Sequence, residues 1–154
     1  MFDDLEITIT PAEPTAGDNV TIRYNNTTET GTFSLAAVAD HVAQLNAALN
    51  QVQPALEILK SAGSALFDTL LGGDLLRIYA QATAPGRRVR LRLNSKLPDL
   101  IAIPWEYLYD RDLERWLALQ PDLSLVRSLP VPGRKPAPVE GVLRVLVMIS
   151  DGLP

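Results

Sequence analysis

At 154 residues the chain is long enough for one domain that buries roughly 68–70% of the surface its unfolded form exposes. Its composition, 47% hydrophobic and 21% charged, is globular rather than disordered, and a net charge of −4 is the wrong sign for a nucleic-acid partner. The absence of cysteine excludes a disulfide scaffold, a cysteine-ligated metal and a cysteine nucleophile within these residues.

Met1-Phe2-Asp3-Asp4 is acidic and has no basic n-region or apolar h-region, so no secretory signal is expected and the chain reads as cytoplasmic. Leu5, Ile7 and Ile9 alternate with Glu6, Thr8 and Thr10, the pattern of a half-buried strand. Pro11 and Pro14 end it and Gly17-Asp18 turns the chain. Val20, Ile22 and Tyr24 alternate again. A polar turn from Asn25 through Gly31 then leads to a short strand around Thr32-Phe33, which completes a β-meander. The Asn-x-Thr sequons at Asn25 and Asn26 read as turn residues, because they mark glycosylation only in secreted proteins.

Ser34 can cap the helix that follows. Leu35, Val38, Val42, Leu45, Leu49, Val52, Leu56 and Leu59 are spaced three and four apart, a seam of a and d positions in which Pro54 must kink the helix or start a second one. Little over three heptads points to an amphipathic helix packed on its own sheet; the alternative is a coiled-coil partner surface. Leu66, Phe67, Leu70 and Leu71 place a second helical segment at 64–71. Gly72-Gly73 stops it and Asp74 can cap a third helix over 75–82. No lysine follows that would make Gly-Gly-Asp a phosphate loop.

After a turn at Pro85-Gly86, Arg88, Arg90 and Arg92 alternate with Val89, Leu91 and Leu93. One face of this strand is apolar. The other is a ladder of guanidiniums, read as a solvated face whose like charges discourage edge pairing, or as an anion or acidic-peptide surface. Pro98 and Pro104 bracket a short apolar element. Asp110, Asp112 and Glu114, beside Arg111 and Arg115, form a solvated charge cluster; 116–119 and 124–129 are short strands. A proline-rich linker at 131–142 separates residues 1–130 from 143–154. There Leu143, Val145, Leu146, Val147, Met148 and Ile149 make a nearly continuous apolar run, suited to a strand buried on both faces of a parallel sheet. No apolar run approaches the ~18 residues of a membrane helix. Charge divides unevenly, with eight acids and two bases before residue 61 and ten acids and twelve bases after it, so two subregions with different surfaces are expected.

Ile103-Pro104-Trp105-Glu106-Tyr107-Leu108-Tyr109-Asp110, Trp116-Leu117-Ala118-Leu119, Ser124-Leu125-Val126-Arg127 and Leu143-Arg144-Val145-Leu146-Val147 fall in an order that resembles the amino-terminal half of a CHAT domain. Gly63-Ser64-Ala65-Leu66-Phe67 and Val89-Arg90-Leu91-Arg92-Leu93 fit the lead-in, and Phe2-Asp3-Asp4-Leu5-Glu6-Ile7 resembles the opening strand. The resemblance implies an α/β fold of the caspase, separase and gingipain group of cysteine peptidases. In this chain it comprises a β-meander, two to three helices, further short strands and the first strand of a caspase-like sheet. It also implies protein substrates, tetratricopeptide repeats as neighbouring domains, and a histidine and a cysteine at the ends of parallel strands. Both catalytic positions lie downstream of 143–149. No catalytic, cofactor-binding or metal-binding residue is therefore carried onto this chain, which is expected to be the front part of a longer polypeptide.

His41 is the sole histidine. It lies in the seam helix without a nucleophile or an orienting partner in view, so it reads as a helix-flank residue. Pro104, Trp105 and Leu108 are expected to form a packing hub, with Glu106 paired to Arg127. The function that follows is the non-catalytic front portion of a CHAT-type peptidase. The alternative is an adaptor that holds a partner through the 35–59 seam or the arginine ladder. The apolar run 143–149, if unpaired, would also drive self-association through an exposed strand.

Overall fold

The computed structural model describes residues 2–12 and 17–128. The linker and the apolar run at 143–149 lie outside the described residues. The architecture is mixed α/β: a five-stranded sheet in the order β3-β2-β1-β4-β7, with helices on one face.

Strand β1 (Asp3–Thr10) forms an antiparallel hairpin with β2 (Asp18–Tyr24). The apolar members of the alternation, Leu5, Ile7, Ile9, Val20, Ile22 and Tyr24, all turn to the buried face. β3 (Thr27–Phe33) is longer than the short strand expected around Thr32-Phe33. The turn contracts to Asn25-Asn26, with Asn25 in the left-handed region at φ 53°, and Tyr24 pairs with Thr27 directly across it. The threonines of 27–32 lack an apolar alternation, but their branched side chains suit a pleated surface. Gly31 serves close approach: a Cβ there would lie 2.8 Å from the side chain of Leu75 on α3 (Asp74–Ala82).

The expected seam divides. α1 (Leu35–Leu49) is capped by Ser34, whose hydroxyl accepts from Ala37 N–H at 3.3 Å. α2 runs from Leu56 to Leu70, absorbing the end of the seam and the segment expected at 64–71. Pro54 lies in the break, and Val52 is fully exposed. Val38, Leu45 and Ala48 are buried, and α1 lies chiefly against α2 rather than on the sheet. Gly73 rather than Asp74 holds the N-cap position of α3.

β4 (Val89–Ser95) pairs parallel with β1 on one side and parallel with β7 (Leu123–Ser128) on the other. It is a central strand, so its arginines guard no edge. They face the acids of β1: Arg90 Nε lies 2.6 Å from Asp4, and Arg92 lies 3.6 Å from the same carboxylate. Arg23 of β2 pairs with Glu6 of β1, and Arg77 of α3 reaches Glu29 of β3 at 2.8 Å. The charge asymmetry of the sequence therefore does not separate into two subregions. Acidic β1 lies between Arg23 of β2 and the arginines of β4.

Between β4 and β7 the chain forms α4 (Pro98–Ile101), a 3-10 turn at Trp105–Tyr107, a two-residue hairpin of β5 (Tyr109–Asp110) and β6 (Arg115–Trp116), and a second 3-10 turn at Leu117–Leu119 in place of the strand expected at 116–119. Trp105 is the expected hub. Its indole N–H donates to Leu100 C=O at 2.8 Å, and its ring centroid lies 5.6 Å from that of Phe33. Trp116 packs against Tyr109 at 4.7 Å and Tyr107 at 6.1 Å.

This hairpin sits directly on α2 at Gly63. A Cβ at Gly63 would overlap the Tyr107 carbonyl oxygen and press on Tyr109 Cβ at 3.0 Å and Trp116 at 3.1 Å. The Gly63→Ala protein is expected to lose about 1–3 kcal/mol of stability through overpacking. The sign is the test, because alanine in an unobstructed helix interior gains about 1 kcal/mol over glycine. Urea unfolding that showed Gly63→Ala equal to or above the parent would refute this contact.

Candidate functional site

Three places gather polar chemistry. The first is the sheet face opposite the helices, where Thr8, Thr21, Thr30, Arg90 and Arg92 stand in cross-strand rows. Its arginines are matched by Asp4, whose carboxyl is held below the usual range chiefly by the hydrogen bond from Arg90. Arg90 and Arg92 of the ladder thus share one carboxylate across the β1–β4 pair and keep part of their surface in solvent.

The second is the end of the β5–β6 hairpin against α3. Asp110 is not part of a solvated cluster as its sequence neighbours suggest: it is 4% exposed, while Asp112 and Glu114 stay at the surface. Asp110 Oδ1 accepts from Leu113 N–H at 3.1 Å. Its Oδ2 lies 3.5 Å from the Tyr79 hydroxyl and 3.9 Å from Arg115 Nε. Arg115 Nε is buried and finds no hydrogen-bond partner among the described residues, so the ion pair is loose. Burial pushes the Tyr79 phenol above its ordinary value of 10.0, with Arg115 opposing the shift. A groove of about 710 Å³ opens here between exposed Leu76 and Leu113.

The third lies at the carboxyl ends of the parallel strands β4 and β7, where open α/β sheets place their sites. A cavity of about 310 Å³ is lined by Leu93, Ser95, Leu100, Trp105, Arg127 and Ser128. Arg127 frames its rim. It donates to Ile101 C=O and lies 3.2 Å from Glu106, so the expected pair forms, though both partners remain more than a third exposed. Nothing in the local sequence marks Ser95 or Ser128 as site residues; they meet here because β4 and β7 pair in register.

His41 sits on α1 beside an open cleft with Glu57, Lys60, Ser64, Tyr109 and Arg111. Its Nδ1 is buried without a hydrogen-bond partner among the described residues, so the geometry assigns it no orienting group. Among the described residues there is no cluster of three metal-ligating side chains, and no helix is long and apolar enough to cross a membrane.

Comparison with family models, curated proteins and solved structures finds no match for this chain.

Two measurements check these environments. A raised phenol pKa means that the folded state holds the Tyr79 proton more tightly than the unfolded chain does. That stability is present below pH ~10 and lost as pH rises through the folded value. The alkaline fall in melting temperature is expected to be shallower in Tyr79→Phe than in the parent between pH 9 and 11; parallel profiles would contradict it. Glu106→Gln is expected to cost less than about 1 kcal/mol, because an exposed ion pair is weak. A loss of several kcal/mol in urea unfolding would mean that the pair bears on the core.

Proposed function

We propose that this chain is the amino-terminal, non-catalytic portion of a CHAT-type caspase-like cysteine peptidase, which supports a catalytic half on the same polypeptide and acts on protein substrates when complete. One observation carries the reading. The 103–110 block on which the resemblance rests forms a buried hub, and its Trp105 lines the cavity at the carboxyl ends of two parallel strands. In the family the catalytic histidine and cysteine stand at comparable strand ends further along, so a rigid front portion would hold that half in place. Tetratricopeptide repeats would be neighbouring domains in this reading.

The adaptor reading draws less support, since both surfaces it relied on are partly engaged within the chain. Val38, Leu45 and Ala48 of α1 are buried against α2, although Val52 and Leu56 of the seam stay exposed, and the arginines of the ladder pair with Asp4 and Asp122 while keeping much of their surface in solvent.

The test is the coding sequence beyond Pro154 together with a peptidase assay of its full product. The expected continuation has a histidine-bearing loop and then a cysteine-bearing loop, each after an apolar strand. Replacing that cysteine by alanine abolishes protein cleavage. A stop codon at 155, or cleavage that survives the replacement, would overturn the proposal.

A further inference from the structure

We propose that the outer edge of β7 is the docking site for the chain's own apolar segment 143–149, which adds there as a sixth, parallel strand. The edge is directional. Val89 N–H donates to Asp122 C=O at 2.8 Å, so the amides of Ser124 and Val126 turn toward β4, and strand alternation points those of Leu125 and Arg127 outward. Among the described residues no strand pairs with this edge, and such an edge is a template for one more strand. β7 carries no proline or lysine, and its one outward-facing charge-bearing residue, Arg127, is drawn back to Glu106 and Ile101.

The occupant follows from chain length and pattern. Fourteen residues, 129–142, separate β7 from 143. That is too many for a hairpin loop, but it meets the dozen or so residues a parallel crossover needs. Four of these are prolines, and a polyproline stretch of that length spans about 43 Å, roughly twice the ~20 Å of a six-residue strand. The linker can therefore return to the start of β7. Leu143, Val145, Val147 and Ile149 share one alternation in the sequence; a strand added at this edge would set that row beside Leu123 and Leu125 on the helix side and Leu146 and Met148 on the side of Val126. The tether favours this segment over a second copy, because a short linker holds it at an effective concentration in the millimolar range.

On this assignment 143–149 extends the present sheet and does not open a separate one. It does not depend on the peptidase proposal, which stands or falls on the sequence beyond Pro154. The experiment is amide hydrogen exchange on the 154-residue chain across a hundredfold range of concentration, compared with the Val145→Asp/Val147→Asp variant. Exchange at Leu125 and Arg127 is expected to be slowed at least about tenfold in the parent at every concentration, as for a paired strand. In the variant it returns to open-strand rates while β1 and β4 stay protected. Protection that vanishes on dilution would assign the edge to a second copy, and fast exchange throughout would leave it unpaired; either overturns the proposal. If the variant unfolds, the parent's concentration series decides alone. Short Hα–Hα contacts between 143–149 and β7 by NMR would overturn the parallel orientation.

Discussion

Strand β1 is hydrogen-bonded along both edges, antiparallel to β2 and parallel to β4, and the rest of the sheet is ordered by that double pairing. Its parallel partner lies more than eighty residues away, so the pairing closes a loop that contains α1, α2 and α3. Leu5, Ile7 and Ile9 give β1 a wholly apolar side, which becomes the floor on which the helical layer rests. Asp4 and Glu6 give it an acidic side flanked by Arg23, Arg90 and Arg92. Exposed ion pairs contribute little to stability one at a time. Their greater effect is on register, since a slip of one residue would bury the acids and expose the isoleucines.

Local periodicity made much of this readable. The hairpin of β1 and β2, the Ser34 cap, the third helix and the Trp105 hub all follow from alternation, spacing and ring size. What escaped the sequence is what depends on partners far along the chain. The arginine strand resembles a protected edge until β1 and β7 are seen on either side of it. The break at Pro54 was legible, but not that the helix beginning beyond it runs straight through the segment expected at 64–71 as one element to Leu70.

Asp110 shows the same limit at a single side chain. Its neighbours Arg111, Asp112 and Glu114 are solvated, and nothing in their order distinguishes it. It is buried because the β5–β6 hairpin turns it inward, toward Tyr79 and Arg115. The cavity at the carboxyl ends of β4 and β7 was equally hidden, since Leu93, Trp105 and Ser128 come from three separate elements.

The central position of β1 also bears on how the protein is made. About 55 residues separate the end of β3 from the start of β4, and at 5–20 residues per second a ribosome takes roughly 3–11 s to supply them. Through that interval the β1–β2–β3 meander exists without the strand that completes its middle. Its apolar face and open parallel edge are then available to any extended chain nearby. The nascent protein thus passes through a period of seconds in which the strand most central to the finished sheet is an edge.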